Sequence, residues 1–370
     1  MDVSPHRIGI LGGTFNPIHQ GHILMAQKVR EALALDGVLL IPAADPPHKE
    51  VDGHVSAQQR YNMARLAAAG AEGLAVSDIE LLRGGISYTA DTVLELAARY
   101  PGARLYVIVG SDLICDLAGW HDAGTLFRLA AFVGVKRAGQ NCGDEAAAAL
   151  LRSEHGADVT LLDIAVPPVS STLVRERVYA ALPAEGLIPG PVEAYIYENG
   201  LYFPEDIRAM QAALRETLSG ERFRHTMGVV RTAVTLAARF GADSKKARLA
   251  ALLHDSARGE DKGSLSHAAT GAYLARTVYH VADEEVLRAI RLHTTLAKGA
   301  GKLDKIIYIA DMIEPGRDFP GVEKLRLLAE TDLDAAVYAG LRDTVEYVRQ
   351  AGKTVHPDSL DALKELTPQE

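Results

Sequence analysis

Residues 10 to 27 read ILGGTFNPIHQGHILMAQ, and Gly12, Gly13, Thr14, Asn16, Pro17, His19 and His22 all fall within eleven positions. Three chemistries suit such a cluster. Two histidines three apart lie on one helical face and could converge on a metal, but no cysteine or nearby acidic residue completes the set. A glycine turn with incidental histidines would explain any Gly-Gly followed by two histidines. A phosphate cradle explains the whole pattern. Gly12 and Gly13 let a polyphosphate approach the backbone, and the helix start that follows offers free N–H groups and a positive dipole end. His19 and His22 then donate hydrogen bonds to a phosphoryl group as charge builds on it. We expect the cradle.

The other half of the chain carries a second constellation in RHTMGVV, ALLHDSAR, LSHAATGAYLA, RLHTT and IIYIADMI. An His-Asp pair alone means little, since WHDAG holds another at His121 and Asp122, where no metal is expected. The set matters: His225, His254, Asp255, His267, His293 and Asp311, each on its own expected helix apart from the adjacent pair. Helix bundles build metal sites from inward ligands of this kind. Four histidines with two aspartates suit borderline first-row metals. Asp311, inside an apolar helix, costs free energy unless paired or metal-bound. Satisfied core histidines would explain any one of the six, but hardly all of them together.

The elements that must position these residues follow from periodicity. Short apolar runs at 7–11, 38–42, 74–80, 104–110, 131–135 and 159–164 alternate with amphipathic stretches such as 22–35, 57–69 and 90–99. Buried runs alternating with helices predict an α/β doubly wound, Rossmann-like parallel sheet covered on both faces. Ligands bind such sheets outside the carboxyl ends of the strands, which is where LGGTFNP lies. The alanine-rich stretch 143–158 predicts a weakly specified, solvent-facing helix. Beyond 200–206, a linker with Gly200 and Pro204, strand-like runs vanish. Helices are expected at 207–218, 222–240, 244–257, 265–279, 283–293, 304–313, 331–349 and 357–366. Gly220 and Gly241 read as helix stops, and Ser244 and Asp283 as N-caps. The division is therefore an α/β domain over 1–203 and an all-α domain over 207–370.

Two further stretches fit the phosphate reading. SSTLVR reads as a helix start, with hydroxyls and amides from Ser170, Ser171 and Thr172 and a charged fork from Arg175; an ordinary N-cap fits it equally well locally. In VGSD, after a strand, Gly110 gives backbone access and Asp112 can accept from a ribose hydroxyl.

GGTFNPIHQGH resembles the signature of the nucleotidyltransferases that share an HxGH motif with class I aminoacyl-tRNA synthetases. PPHK (46–49), ISYTADTV (86–93), VGSDLICDLAGWHDAGTLF (109–127) and SSTLVRERV narrow the resemblance to the bacterial nicotinate-mononucleotide adenylyltransferases, over about residues 7 to 203. The resemblance implies transfer of AMP from ATP to nicotinate mononucleotide, with Mg²⁺ brought by ATP. It implies that His19 and His22 contact the ATP phosphates, with Gly12, Gly13 and Thr14 holding the same groups. It places Thr89 and Asp91 on the mononucleotide side and Trp120 against the nicotinate ring. A lone tryptophan is otherwise core packing. Lys49 either offsets substrate phosphate or is a solvated loop lysine.

The helical half resembles the HD-type phosphohydrolases, most closely the bacterial symmetrical diadenosine tetraphosphate hydrolases, with HTTLAKGAGKLDKIIYIADMIEPGRDFPGV its most specific part. The resemblance implies two metal ions, Fe²⁺ in that family. His225, His254, Asp255 and Asp311 would hold one, and Asp255, His267 and His293 the other, with Arg258 toward substrate phosphate. The connection from Asp255 to His267 is shorter than that family's.

Composition sets the remaining limits. The 370 residues carry a net charge of −9 and two cysteines, Cys115 and Cys142. That excludes a disulfide framework or four-cysteine zinc site, and argues against a general nucleic-acid or membrane surface. The N-terminal apolar run is too short for a signal peptide and no run approaches a membrane span, so a cytoplasmic location is expected. An oligomer is allowed. Rival readings change the acceptor, for example to phosphopantetheine, or make the helical half a metal-binding regulatory module without turnover.

Overall fold

The six apolar runs become six strands in a computed structural model, which describes residues 7–46, 55–136, 144–258 and 266–367. The first part of the chain runs β1 (Arg7–Gly13), α1 (Gln20–Ala32), β2 (Gly37–Pro42), α2 (Ala57–Ala68), β3 (Leu74–Val76), α3 (Ile79–Arg83), α4 (Thr89–Arg99), β4 (Arg104–Gly110), α5 (Ala123–Leu129), β5 (Ala130–Lys136), α6 (Asp144–His155), β6 (Val159–Asp163), α7 (Ser171–Tyr179) and α8 (Gly190–Glu198). The sheet order is β3-β2-β1-β4-β5-β6, and every pairing is parallel. This is the order of the doubly wound dinucleotide-binding sheets, whose ligand site lies where the order reverses, between β1 and β4. The strands are buried on both faces, as in Leu105 to Val109 of β4. A near-continuous apolar run encodes that environment where simple alternation would not.

The remaining elements are all helical: α9 (Glu205–Thr217), α10 (Gly220–Phe240), α11 (Ser244–Leu253), α12 (Ser266–Thr277), α13 (Glu284–Leu292), α14 (Lys302–Ile313), α15 (Val322–Ala329), α16 (Leu333–Gln350) and α17 (Pro357–Leu366). An α/β doubly wound sheet followed by a helical domain is thus the fold the sequence predicts. Two compact units result: Met1–Arg175 with Ala184–Tyr195, and Glu176–Pro183 with Ile196–Glu370. Within the second, α14 is buried nearly all round, from Leu303 to Ala310, as a helix central to a bundle must be. It packs against α10, α11, α13, α15 and α16.

Several boundaries differ from the sequence reading. The run at 74–80 gives only a three-residue strand, because Ile79–Arg83 turns into helix. Gly220 opens α10 instead of closing a helix, since Ser219 caps it by accepting from the Arg222 N–H at 3.3 Å. Asp243, not Ser244, caps α11, accepting from Lys245 and Lys246 N–H at 2.9 and 3.1 Å. Helix α15 was not expected. The helix expected over 244–257 stops at Leu253 and gives way to turns, with Ser256 N–H bonded to Leu253 O and Arg258 N–H to Asp255 O. Those bonds reach three residues back where an α-helix reaches four. No helix among the described residues is long and apolar enough to cross a membrane.

Candidate active sites

The end of β1 delivers Gly12 and Gly13 to the carboxyl edge of the sheet, in register with Ile41 and Pro42 of β2. Gly12 is exposed and faces open space, with no atom within 4 Å of where a Cβ would stand. The loop that follows is anchored from below by Arg60 of α2. This residue is 1% exposed, and donates to Thr14 O at 2.7 Å and Ala44 O at 3.0 Å. Sequence reasoning missed it, because an arginine on an amphipathic helix ordinarily reads as surface.

His19 is the N-cap of α1 and His22 lies three residues on. Their rings stack with centroids 3.6 Å apart, and Phe15 meets His22 edge-on at 5.0 Å. The His19 N–H donates to His22 Nδ1 at 3.2 Å. That bond fixes Nδ1 as acceptor, so the neutral ring carries its proton on Nε2 and keeps a donor there. Gly21 allows the arrangement: a Cβ on it would stand 3.0 Å from His19 Cε1 and Nδ1.

The SSTLVR stretch joins this loop. Ser171 Oγ donates to Pro17 O at 2.9 Å and Arg175 Nη1 to Asn16 O at 2.9 Å. Ser170 Oγ accepts from the Leu173 N–H at 3.1 Å, so it is also the helix cap. Thr172 Oγ1 accepts from Arg175 Nη2 at 3.4 Å. Gly110 ends β4, and Asp112 lies exposed in the 3-10 segment Ser111–Gly119. The segment before Thr89 is tied to the end of β2. Ser87 N–H donates to Asp45 O at 2.8 Å, and Ser87 Oγ accepts from Ala44 N–H at 2.9 Å. Thr89 and Asp91 open α4, both half-buried. Tyr88 stacks on His121 at 4.1 Å, which joins the Thr89 segment to the one holding Trp120. Trp120 itself is half-buried and packs on the sheet core. Lys49 lies outside the described residues.

In the helical unit the six metal-ligand candidates converge. Ligand atoms of His225, His254 and Asp311 lie within 4.8 Å of one another, as do those of His254, Asp255 and His293. His267 Nε2 stands 3.1 Å from His293 Nε2 and 3.4 Å from Asp255 Oδ1. His254 and His293 each hold a backbone carbonyl through Nδ1, Ala251 O and Ile290 O, both at 2.7 Å. A carbonyl only accepts, so both Nδ1 atoms carry protons and both Nε2 atoms present lone pairs. His254 Nε2 is buried with no hydrogen-bond partner among the described residues. An orphaned, buried lone pair beside two carboxylates is what a cation would satisfy, and the nitrogen and oxygen donors suit a borderline divalent ion. The residues fit a metal. Among the described residues no such cluster includes His121 or Asp122: His121 is stacked on Tyr88, and Asp122 caps α5.

The early end of α11 has a chemical consequence. Adjacent residues on a helix point about 100° apart. The turns at 254–257 let His254 and Asp255 both face the cluster, with Asp255 Oδ1 3.5 Å from His293 Nε2. Burial works to raise the Asp255 pKa, but the surrounding groups, the charged Arg258 among them, outweigh it and hold the carboxyl far below the usual range. Burial lowers that of His254. Burial also works against a charged His225, yet hydrogen bonds to Asp311 and Glu314 raise it to about 9. Glu314, absent from the sequence reading, is 4% exposed. Arg258 Nε pairs with Asp255 Oδ1 at 3.2 Å, and Arg317 Nη2 with Asp311 Oδ1 at 2.5 Å.

Comparison with known proteins matches two families to different parts of the chain. The cytidylyltransferase-like family matches residues 10–177 and the HD domain family residues 222–316. The chain is 41% identical over 197 residues to a Gloeobacter violaceus protein named "Probable nicotinate-nucleotide adenylyltransferase", covering 53% of this chain and 96% of that one. Among solved structures it is similar to a "predicted HD superfamily hydrolase involved in NAD metabolism" from Clostridium acetobutylicum, with 36% identity, coverage of 43% and 95%, and a TM-score of 0.40. It is also similar to Plasmodium falciparum nicotinic acid mononucleotide adenylyltransferase complexed with NaAD, with 21% identity, coverage of 53% and 97%, and a TM-score of 0.44.

Proposed function

The chain belongs, through its first half, to the nicotinate-nucleotide adenylyltransferase family and carries an HD domain after it, and on that premise we propose a bifunctional enzyme. Residues 1–203 transfer AMP from ATP to nicotinate mononucleotide, giving deamido-NAD and pyrophosphate. Residues 207–370 hydrolyse diadenosine tetraphosphate to two ADP.

For the transferase the supporting observation is the convergence of the β1 loop, the His19–His22 stack and the start of α7 at one end of the sheet. A phosphate oxygen of the mononucleotide attacks the α-phosphorus of ATP, and the bond to pyrophosphate breaks. Such a reaction needs alignment and neutralised charge more than covalent help. His22 donates through Nε2 to the phosphoryl group as charge builds, and His19 acts beside it. Gly12, Gly13 and Thr14 cradle the phosphates with Ser170, Ser171 and Thr172, and Arg175 holds the loop as well as lending charge. Gly110 and Asp112 take the adenosine side. Thr89, Asp91, Trp120 and Lys49 take the mononucleotide, and Mg²⁺ arrives with ATP.

For the hydrolase the supporting observation is the buried Nε2 of His254, which has no hydrogen-bond partner among the described residues, set among the other five ligand candidates. His225, His254, Asp255 and Asp311 would hold one divalent ion, and Asp255, His267 and His293 a second; Fe²⁺ is our choice. Such ions supply a Lewis acid and an activated water at neutral pH. Asp255 offers oxygens to both sets, and Arg258 lies beside it to meet substrate phosphate.

Product analysis tests both readings. The full chain with ATP and nicotinate mononucleotide should yield deamido-NAD and pyrophosphate, and phosphopantetheine should not replace the mononucleotide. Loaded with Fe²⁺ or Mn²⁺, it should split diadenosine tetraphosphate into ADP alone. AMP plus ATP as products would sink the symmetrical assignment, and no turnover at all would favour a regulatory module.

A further inference from the structure

Helix α14 stops at Ile313 and the chain continues as Glu314-Pro315-Gly316-Arg317. Proline after Glu314 keeps that residue out of helical geometry, and the Arg317 N–H closes a turn on Glu314 O at 2.9 Å. Arg326 of α15 fastens the turn, donating to Ile313 O at 3.0 Å, Glu314 O at 2.9 Å and Arg317 O at 2.8 Å. The turn therefore holds the Glu314 carboxylate in place, and both its oxygens are engaged. Oε1 meets His225 Nδ1 at 3.1 Å, and Oε2 accepts from the Gly316 N–H at 2.6 Å. Room for the carboxylate comes from a glycine on α10, one turn beyond His225. A Cβ at Gly228 would stand 2.4 Å from Glu314 Oε2.

His225 has two ring nitrogens, and they face different groups. Nε2 points to Asp311 Oδ1 at 3.0 Å, inside the candidate metal set. Nδ1 points to Glu314, which belongs to neither set of converging ligands. A carboxylate on the outer nitrogen of a ligating imidazole fixes its tautomer and ring orientation and makes the inner nitrogen a better donor. We infer that Glu314 is a positioning residue for the metal site, holding His225 so that Nε2 is the ligating atom. The inference rests on the metal reading of the helical half. It does not depend on which substrate is cleaved.

The test is Mn²⁺ binding to the chelator-stripped full chain, followed by calorimetry with elemental analysis. Glu314→Gln keeps size and an acceptor but removes the charge. It should weaken one of two Mn²⁺ ions by roughly 10- to 100-fold and leave the other near wild type. Gly228→Ala, which displaces the carboxylate without altering it, should weaken the same ion. The double variant His225→Ala with Glu314→Gln should bind no more weakly than His225→Ala alone, because an effect relayed through His225 vanishes with it. Adenylyl transfer should stay near wild type. Wild-type Mn²⁺ affinity in Glu314→Gln, or an added loss in the double variant, would overturn the inference alone. Failure of the wild-type chain to take up Mn²⁺ would overturn the metal reading and this inference with it.

Discussion

Gly21 shows how much of a site can depend on an atom that is missing. It lies in the first turn of α1, between the two stacked histidines, in ordinary helical conformation. Alanine there strains no backbone and has the better helix propensity, by up to about 1 kcal/mol. Yet its Cβ would stand 3.0 Å from the His19 ring, closer than nearly all real Cβ contacts. Phe15 and His22 crowd the same corner, so His19 must shift against its stacking partner. Gly21→Ala should therefore leave the melting temperature unchanged or higher while kcat for adenylyl transfer falls roughly tenfold, since small displacements of a catalytic group are costly. Steady-state kinetics beside thermal unfolding would check it. A slower enzyme with a lower melting temperature would mean that the glycine serves the fold instead.

At the level of elements, the strands were legible because burial on both faces writes itself as a continuous apolar run, and the six runs sit within a few residues of the six strands. Candidate site residues could be picked out where chemistry needs an unusual residue type at an unusual place, as with His19 and His22, whose rings stack, and the six ligand candidates, which the fold brings together. What stayed hidden had no local signal. Glu314 reads as one more acidic residue at a helix end, and only its approach to His225, 89 positions away, gives it meaning. The stop of α11 at Leu253 was hidden because the apolar pattern continues through Ala257, which is buried in a turn as it would be in a helix. Helix α7 illustrates the intermediate case. Its Ser and Thr residues could be read as caps or as phosphate ligands, and Ser170 does cap it. Ser171, however, donates its hydroxyl to Pro17 O, tying the helix start to the loop after β1. Ser171→Ala leaves that carbonyl short of a donor, a loss of about 1 kcal/mol. The Michaelis constant for ATP should rise roughly fivefold, with that for nicotinate mononucleotide unchanged. Equal changes in both constants would show that the tie positions more than the ATP side.

On the scale of the whole molecule, the two constellations would use opposite means on similar substrates. In the functions proposed above each would handle phosphoanhydrides on a chain whose net charge is −9, so attraction would have to be local. The first half gathers N–H groups, hydroxyls and histidine donors where a helix begins, an arrangement for stabilising anions without a resident ion. The second gathers lone pairs and carboxylates in a buried cluster, an arrangement that attracts cations first. A single group removed from each cluster should therefore act on one activity only. Asp255→Asn preserves size and shape but removes a negative charge that both proposed metal sets would draw on. Losing an outer partner of a metal ligand costs about 10- to 100-fold, so losing a carboxylate offered to two ions should cost at least about 100-fold in diadenosine tetraphosphate hydrolysis, with less metal bound. Adenylyl transfer in the same protein should stay near wild type. His22→Ala should give the mirror image, losing about 100- to 1000-fold in adenylyl transfer, as removal of a donor to developing charge does elsewhere, with hydrolysis and metal content unchanged. Both assays on both variants make the comparison. Should Asp255→Asn keep full hydrolase activity, the ligand assignment is wrong; should it silence the transferase in a folded protein, the two activities are not chemically separate.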